Sequence, residues 1–79
     1  MQSIATRYGI TDLNLVKPGV GETIRVLLRR VPWQVLVRPG ARGELAPVLL
    51  LAEDRGVAVV DEPDLPFSCV GLIRPGGQP

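Results

Sequence analysis

Gly19 and Gly21, followed by Glu22, Arg25 and Arg29, carry most of the chemical character of this 79-residue sequence. A glycine pair running into helix-forming residues reads as a turn that opens directly into a helix. The first amides of a helix have no intrahelical acceptor, and the helix dipole leaves that end partly positive, so such a start attracts anions. Arg25 and Arg29 stand four residues apart and so share one helix face. A phosphate-bearing partner would meet amides, one carboxylate and two guanidiniums in one place. The pattern is not a dinucleotide fingerprint, because the third glycine and the ribose-binding acid are missing. It is not a P-loop either, because no Gly-Lys-Ser/Thr follows.

Little else in the chain invites chemistry. There is no histidine, which removes the commonest general base and metal ligand. Cys69 is the single cysteine; it sits in an apolar run without a partner at metal-ligand spacing and reads as a buried structural thiol. Asp61, Glu62 and Asp64 read as solvated loop carboxylates. Trp33, next to Pro32, reads as a half-buried anchor for the end of the helix. We therefore expect no catalytic residue, no metal and no cofactor, and a protein that is not an enzyme.

The net charge of +1 hides an asymmetry. Residues 1–42 hold seven Lys and Arg against two Asp and Glu, whereas residues 43–79 hold two against six. Arg38 and Arg42 belong to the basic half and join Gly19, Gly21, Glu22, Arg25 and Arg29 as candidate contacts to an anion. A basic half beside an acidic half also suits head-to-tail self-association.

The elements that must position these residues follow from the hydrophobic pattern. Residues 1–12 are weakly patterned. Asp12–Lys17 alternates and predicts a first strand. From Gly21 to Val31 the apolar residues Ile24, Leu27, Leu28 and Val31 recur at helical spacing, and Pro32 ends the helix. Trp33–Arg38 predicts a second strand and residues 39–43 a loop. A second helix runs from Glu44 to Arg55, with Pro47 in its first turn and Gly56 as its stop. Val57–Val60 is all apolar, like a strand buried on both faces of a parallel sheet. Phe67–Ile73 predicts a last strand, and residues 75–79 a flexible tail. The expected fold is a small, three-layer-like α/β sandwich at residues 13–74, with a mostly parallel sheet of about four strands and two main helices. The second helix is apolar around more than half its girth. Leu50 and Leu51 need a second cover, either the N-terminal segment or a subunit interface. No apolar run is long enough to span a bilayer and no signal peptide is recognisable, so the expected location is cytoplasmic.

Over residues 13–61 the chain resembles the kink-turn RNA-binding ribosomal-protein family in its short bacterial homologues. The likeness rests on Gly19-x-Gly21-Glu22-x-x-Arg25, which is similar to the family's Gly-x-Asn-Glu-x-x-Lys, and on Leu51-Ala52-Glu53-Asp54-Arg55-Gly56-Val57. The resemblance implies contacts from Glu22 and Arg25 to a kinked, structured RNA. Gly21 departs from the family's amide, and the acidic Asp61-Glu62-Pro63-Asp64 departs from its pattern after Val60. The RNA-substrate domain of some ribose methyltransferases has a similar architecture. The expected function is a small, non-catalytic RNA-binding module; the alternative is an oligomeric scaffold associating through its second helix.

Overall fold

The computed structural model describes residues 2–29 and 32–73, with side chains from Ala5 onward. The elements are α1 (Gln2–Arg7), β1 (Val16–Pro18), α2 (Val20–Arg29), β2 (Gln34–Val37), α3 (Ala46–Arg55), β3 (Ala58–Asp61) and β4 (Cys69–Leu72). Short 3-10 turns precede β1, at Leu13–Leu15, and α3, at Pro39–Glu44. The first is capped by Asp12, whose carboxylate accepts from the Asn14 amide at 2.9 Å. Arg30, Val31, Arg74 and the expected tail at 75–79 lie outside the described residues.

The four strands form one sheet in the order β1-β4-β2-β3. Its pairing is mixed, not mostly parallel as the order of elements suggested. β2 and β3 are parallel, but β4 lies antiparallel to both β2 and β1. The reason is the length of the β3–β4 connection. Residues 62–68 are seven, and a return to a parallel start needs a crossover of a dozen or more residues. The short loop can only turn the chain over the end of β2 and send it back between β1 and β2.

This insertion changes which strand is fully covered. Val35, Leu36 and Val37 of β2 and Cys69, Val70 and Leu72 of β4 are completely buried. β3, expected to be buried on both faces, is an edge strand with Ala58 and Asp61 exposed. The pairs Val35–Gly71 and Val37–Cys69 mark one face of the sheet, and Leu36–Val70 the other. On the first face α2 and α3 enclose Leu27, Val35, Val37, Leu45, Val48, Ala52 and Cys69. On the second, Ala5, Ile10 and Leu65 pack against Leu36, Val70 and Leu72. The N-terminal segment thus forms a short helix on the face away from α3. It does not cover Leu50, which is 66% exposed, while Leu51 is half-buried against the first core.

α3 ends as its sequence requires. Gly56 adopts φ +70°, a left-handed conformation that glycine enters without penalty, and its amide reaches the carbonyls of Ala52 and Glu53. α2 begins at another left-handed glycine, Gly19 at φ +93°. Its buried face is Thr23, Val26 and Leu27, with Ile24 half-buried and Leu28 56% exposed. The face is rotated from the expected set: Thr23 packs over Gly71 of β4, where an added Cβ would stand in ordinary contact, 3.7 Å from the Thr23 methyl. Thr23 is wholly buried there; its hydroxyl faces the Lys17 carbonyl at 3.4 Å and accepts from the Cys69 thiol at 3.6 Å.

Candidate functional site

The start of α2 is fixed to the sheet from two sides. The Gly19 amide donates to the Cys69 carbonyl at 2.8 Å, and the Gly19 carbonyl accepts from Thr23 at 3.0 Å. That leaves the next three amides, of Val20, Gly21 and Glu22, without an intrahelical acceptor. Val20, Gly21 and Glu22 are all exposed. Gly21 has no atom within 4 Å of where a Cβ would sit and no positive φ, so nothing in the fold demands a glycine there. Its effect is to leave the helix-start backbone uncovered.

Along α2 runs a groove of about 210 Å³, lined by Lys17, Glu22, Arg25, Val26, Arg29 and Ile73. Arg25 and Arg29 are exposed and Lys17 is half-buried. Among the described residues no carboxylate lies within ion-pair distance of any of these three cations. The floor is apolar, from Val26 and Ile73, both almost fully buried. The site therefore offers unneutralised positive charge on a firm apolar base, with one carboxylate, Glu22, at the helix start. Lys17 was not among the residues singled out from the sequence. It stands in a different element, and only the packing of β1 beside α2 brings it to the groove.

The other basic candidates are placed elsewhere. Arg42 donates to the Asp61 carboxylate at 3.0 Å, and Arg38 contacts the Leu65 carbonyl at 3.4 Å. Neither lines the groove. Arg55 donates to the Leu28 carbonyl at 3.2 Å and so satisfies the last turn of α2. The acidic loop is occupied on the far side of the sheet. Glu62 pairs with Arg7 and accepts from the Tyr8 hydroxyl at 2.6 Å. Partial burial, together with the hydrogen bond and negative charge of Glu62, pushes the Tyr8 phenol up to about 12. The Trp33 ring meets that of Tyr8, just beyond α1, edge-on, with 6.3 Å between centroids. The acidic loop therefore holds the N-terminal segment, and the charges on it that pair do so away from the groove.

Among the described residues there is no group of three acidic, histidine or cysteine side chains arranged to hold a metal ion, and no helix long and apolar enough to cross a membrane. Compared with known proteins, residues 1–75 match the family described as the PELOTA RNA binding domain. A curated relative, the cysteine protease StiP of Acinetobacter baylyi, is 30% identical over 80 residues, a match that takes in 99% of this chain and 21% of that protein. The chain thus spans about a fifth of that relative's length. No solved structure matches it. The family match covers nearly the whole chain, and the chain belongs to the PELOTA RNA binding domain family.

Proposed function

From membership of an RNA-binding family as the premise, we propose that this chain is a non-catalytic module that holds structured RNA along α2. The observation that carries the reading is the groove in which Lys17, Arg25 and Arg29 stand together with no carboxylate partner among the described residues. An uncompensated cluster of this kind supplies phosphate neutralisation, the main source of affinity for nucleic acids. The open amides of the α2 start, left bare by Gly21, add directional donors for a phosphate oxygen. Glu22 supplies an acceptor for a hydroxyl or base N–H beside them. A kinked RNA, as implied by the likeness of Gly19-x-Gly21-Glu22-x-x-Arg25 to the ribosomal-protein pattern, is the finer form of this proposal.

Catalysis has no support in these residues. The relative's protease activity belongs to the relative as a whole. In the fifth of it that matches, this chain has no histidine, and its one thiol, Cys69, is completely buried beneath Thr23. The test is titration of a structured RNA at two salt concentrations. Binding should weaken steeply as salt rises. Replacing Arg25 and Arg29 by Ala should cost about 1–3 kcal/mol of binding while the protein stays folded. Retained affinity in the double variant would remove α2 as the contact surface.

A second reading, self-association, is favoured by the exposure of Leu50 on α3, which leaves a leucine in solvent with Leu51 half-buried beside it. Light scattering across a concentration range decides it. A mass that stays monomeric excludes the α3 face as a self-interface.

A further inference from the structure

We propose that the outer edge of β3 is a seam on which a second copy of this chain lays its own β3, antiparallel, across a two-fold axis at Val60. The two edges of the sheet are built differently. β1 is three residues long, carries Lys17 and ends at Pro18, all of which keep an edge from pairing with another chain. β3 is four residues, Ala58-Val59-Val60-Asp61, and among the described residues its one sheet neighbour is β2. It has neither proline nor lysine. Its one charge, Asp61, is already met by Arg42. An edge without such protection is a template for a further strand.

Which backbone groups face outward follows from the ladder. The Glu62 amide donates to the Val37 carbonyl at 2.8 Å, and Val37 stands level with Asp61. Backbone groups alternate along a strand, so Ala58, Val60 and Glu62 turn theirs toward β2, while Val59 and Asp61 turn amide and carbonyl outward. These four groups fit a reversed copy of themselves. With Val60 opposite the partner's Val60, Val59 faces the partner's Asp61 and Asp61 faces the partner's Val59, and every outward donor and acceptor is used. The side chains favour the same occupant. Val59 packs against the core under α2 and α3, Val60 against the core on the other face, and both are half-buried. An identical strand extends both layers and sets valine against valine at the axis. Reversal also keeps the two Asp61 carboxylates on opposite sides of the axis, each beside its own Arg42, whereas a parallel copy would align like charges. Two four-stranded sheets become one of eight, with α2 and α3 of both copies on the same face. On the RNA-binding reading, one folded RNA then meets two grooves; the seam itself does not depend on that reading.

A seam this short falls below the roughly 1,200 Å² of a stable interface, so the pair is weak and the measurements run up to about 1 mM protein. They follow mass by light scattering and amide exchange by NMR, without RNA. The expected result is a rise from monomer to dimer in which the Val59 and Asp61 amides slow by at least about tenfold. The amides of Val60 and Glu62, which already face β2, should change little. Val59→Pro removes an outward donor and no bond to β2, so it should stay folded by circular dichroism and remain monomeric. Val60→Cys should cross-link to its own copy under air oxidation, because the register sets the two residues opposite each other, and Val59→Cys should not. Cys69 is completely buried and supplies no competing thiol. A monomer at about 1 mM with fast exchange at Val59 and Asp61 would overturn the seam. So would a dimer that survives Val59→Pro and is dissolved by Leu50→Glu, which would assign association to α3. Slow exchange at both amides in a chain that stays monomeric would overturn the second copy as the occupant. None of these outcomes touches the α2 groove, which stands or falls on RNA titration alone.

Discussion

The two sides of the molecule use their charges differently. On the N-terminal side, Arg7 and Tyr8 converge on Glu62. These are the pairs that hold α1 and the β3–β4 loop in place. Along α2, Lys17, Arg25 and Arg29 face a common groove and pair with no carboxylate among the described residues. Of the carboxylates in the second half of the chain, only Asp61 and Glu62 form ion pairs among the described residues, and neither pairs with a groove cation. Paired charge on one side is structural; unpaired charge on the other is what a polyanion would neutralise. The comparison also explains why an acidic loop and a basic helix coexist in so small a domain without cancelling each other.

The comparison can be broken at several points. The largest effect belongs to the groove. Adding Lys17→Ala to the Arg25 and Arg29 double variant should deepen the loss of RNA affinity and lower the slope of log affinity against log salt by about 2 in all, at roughly 0.7 per single-strand phosphate contact. Thermal melts should barely move, because these side chains have no ion pair to lose among the described residues. The opposite outcome is expected for Glu62→Ala. It strands the Tyr8 hydroxyl and Arg7 and should cost about 1–2 kcal/mol of stability, measured by denaturant titration, with RNA affinity unchanged.

Tyr8 sharpens the same side through pH. Its phenol is raised in the fold, to about 12, so the protonated form is favoured by the folded state. That contribution is complete below the unfolded value near 10 and is lost as pH climbs through about 12. Stability should therefore show a decline between those values that Tyr8→Phe removes. Gly21→Ala divides stability from function. The helix should gain about 0.5 kcal/mol, because glycine is a poor helix residue and no neighbour obstructs the new methyl. RNA binding should weaken several-fold if the backbone there touches the partner. The smallest effect is expected for Arg42→Ala, since its exposed ion pair is worth under about 1 kcal/mol.

The sequence announces what depends on neighbours along the chain. Gly19 marks the start of α2, Gly56 the end of α3, and the stretches Trp33–Arg38, Val57–Val60 and Phe67–Ile73 announce the strands found at Gln34–Val37, Ala58–Asp61 and Cys69–Leu72. Pairing was not legible, because it depends on distant strands. Nothing in Val57–Val60 says that it will be an edge, and nothing in Phe67–Ile73 says that it will slide between β1 and β2. The length of the β3–β4 loop held that information. The buried face of α2 was misjudged for a similar reason. Thr23 looks like a surface residue until the packing of α2 over β4 buries it. The candidate site divides along the same line. Glu22, Arg25 and Arg29 were readable from one helix, whereas Lys17 joins them only through the packing of β1. Arg38 and Arg42 were grouped with them by charge alone, and their hydrogen bonds separate them.

The most direct test of the central claim holds net charge constant. Two variants each lose two positive charges, Arg25→Ala with Arg29→Ala and Arg7→Ala with Arg42→Ala. Both are titrated with the same structured RNA at the same salt, at a temperature where circular dichroism shows each to be folded. The account predicts that the first pair loses affinity by at least tenfold, about 1.4 kcal/mol, while the second binds like the wild type. Equal losses in the two would show that RNA responds to net charge alone and that the groove along α2 is not its site.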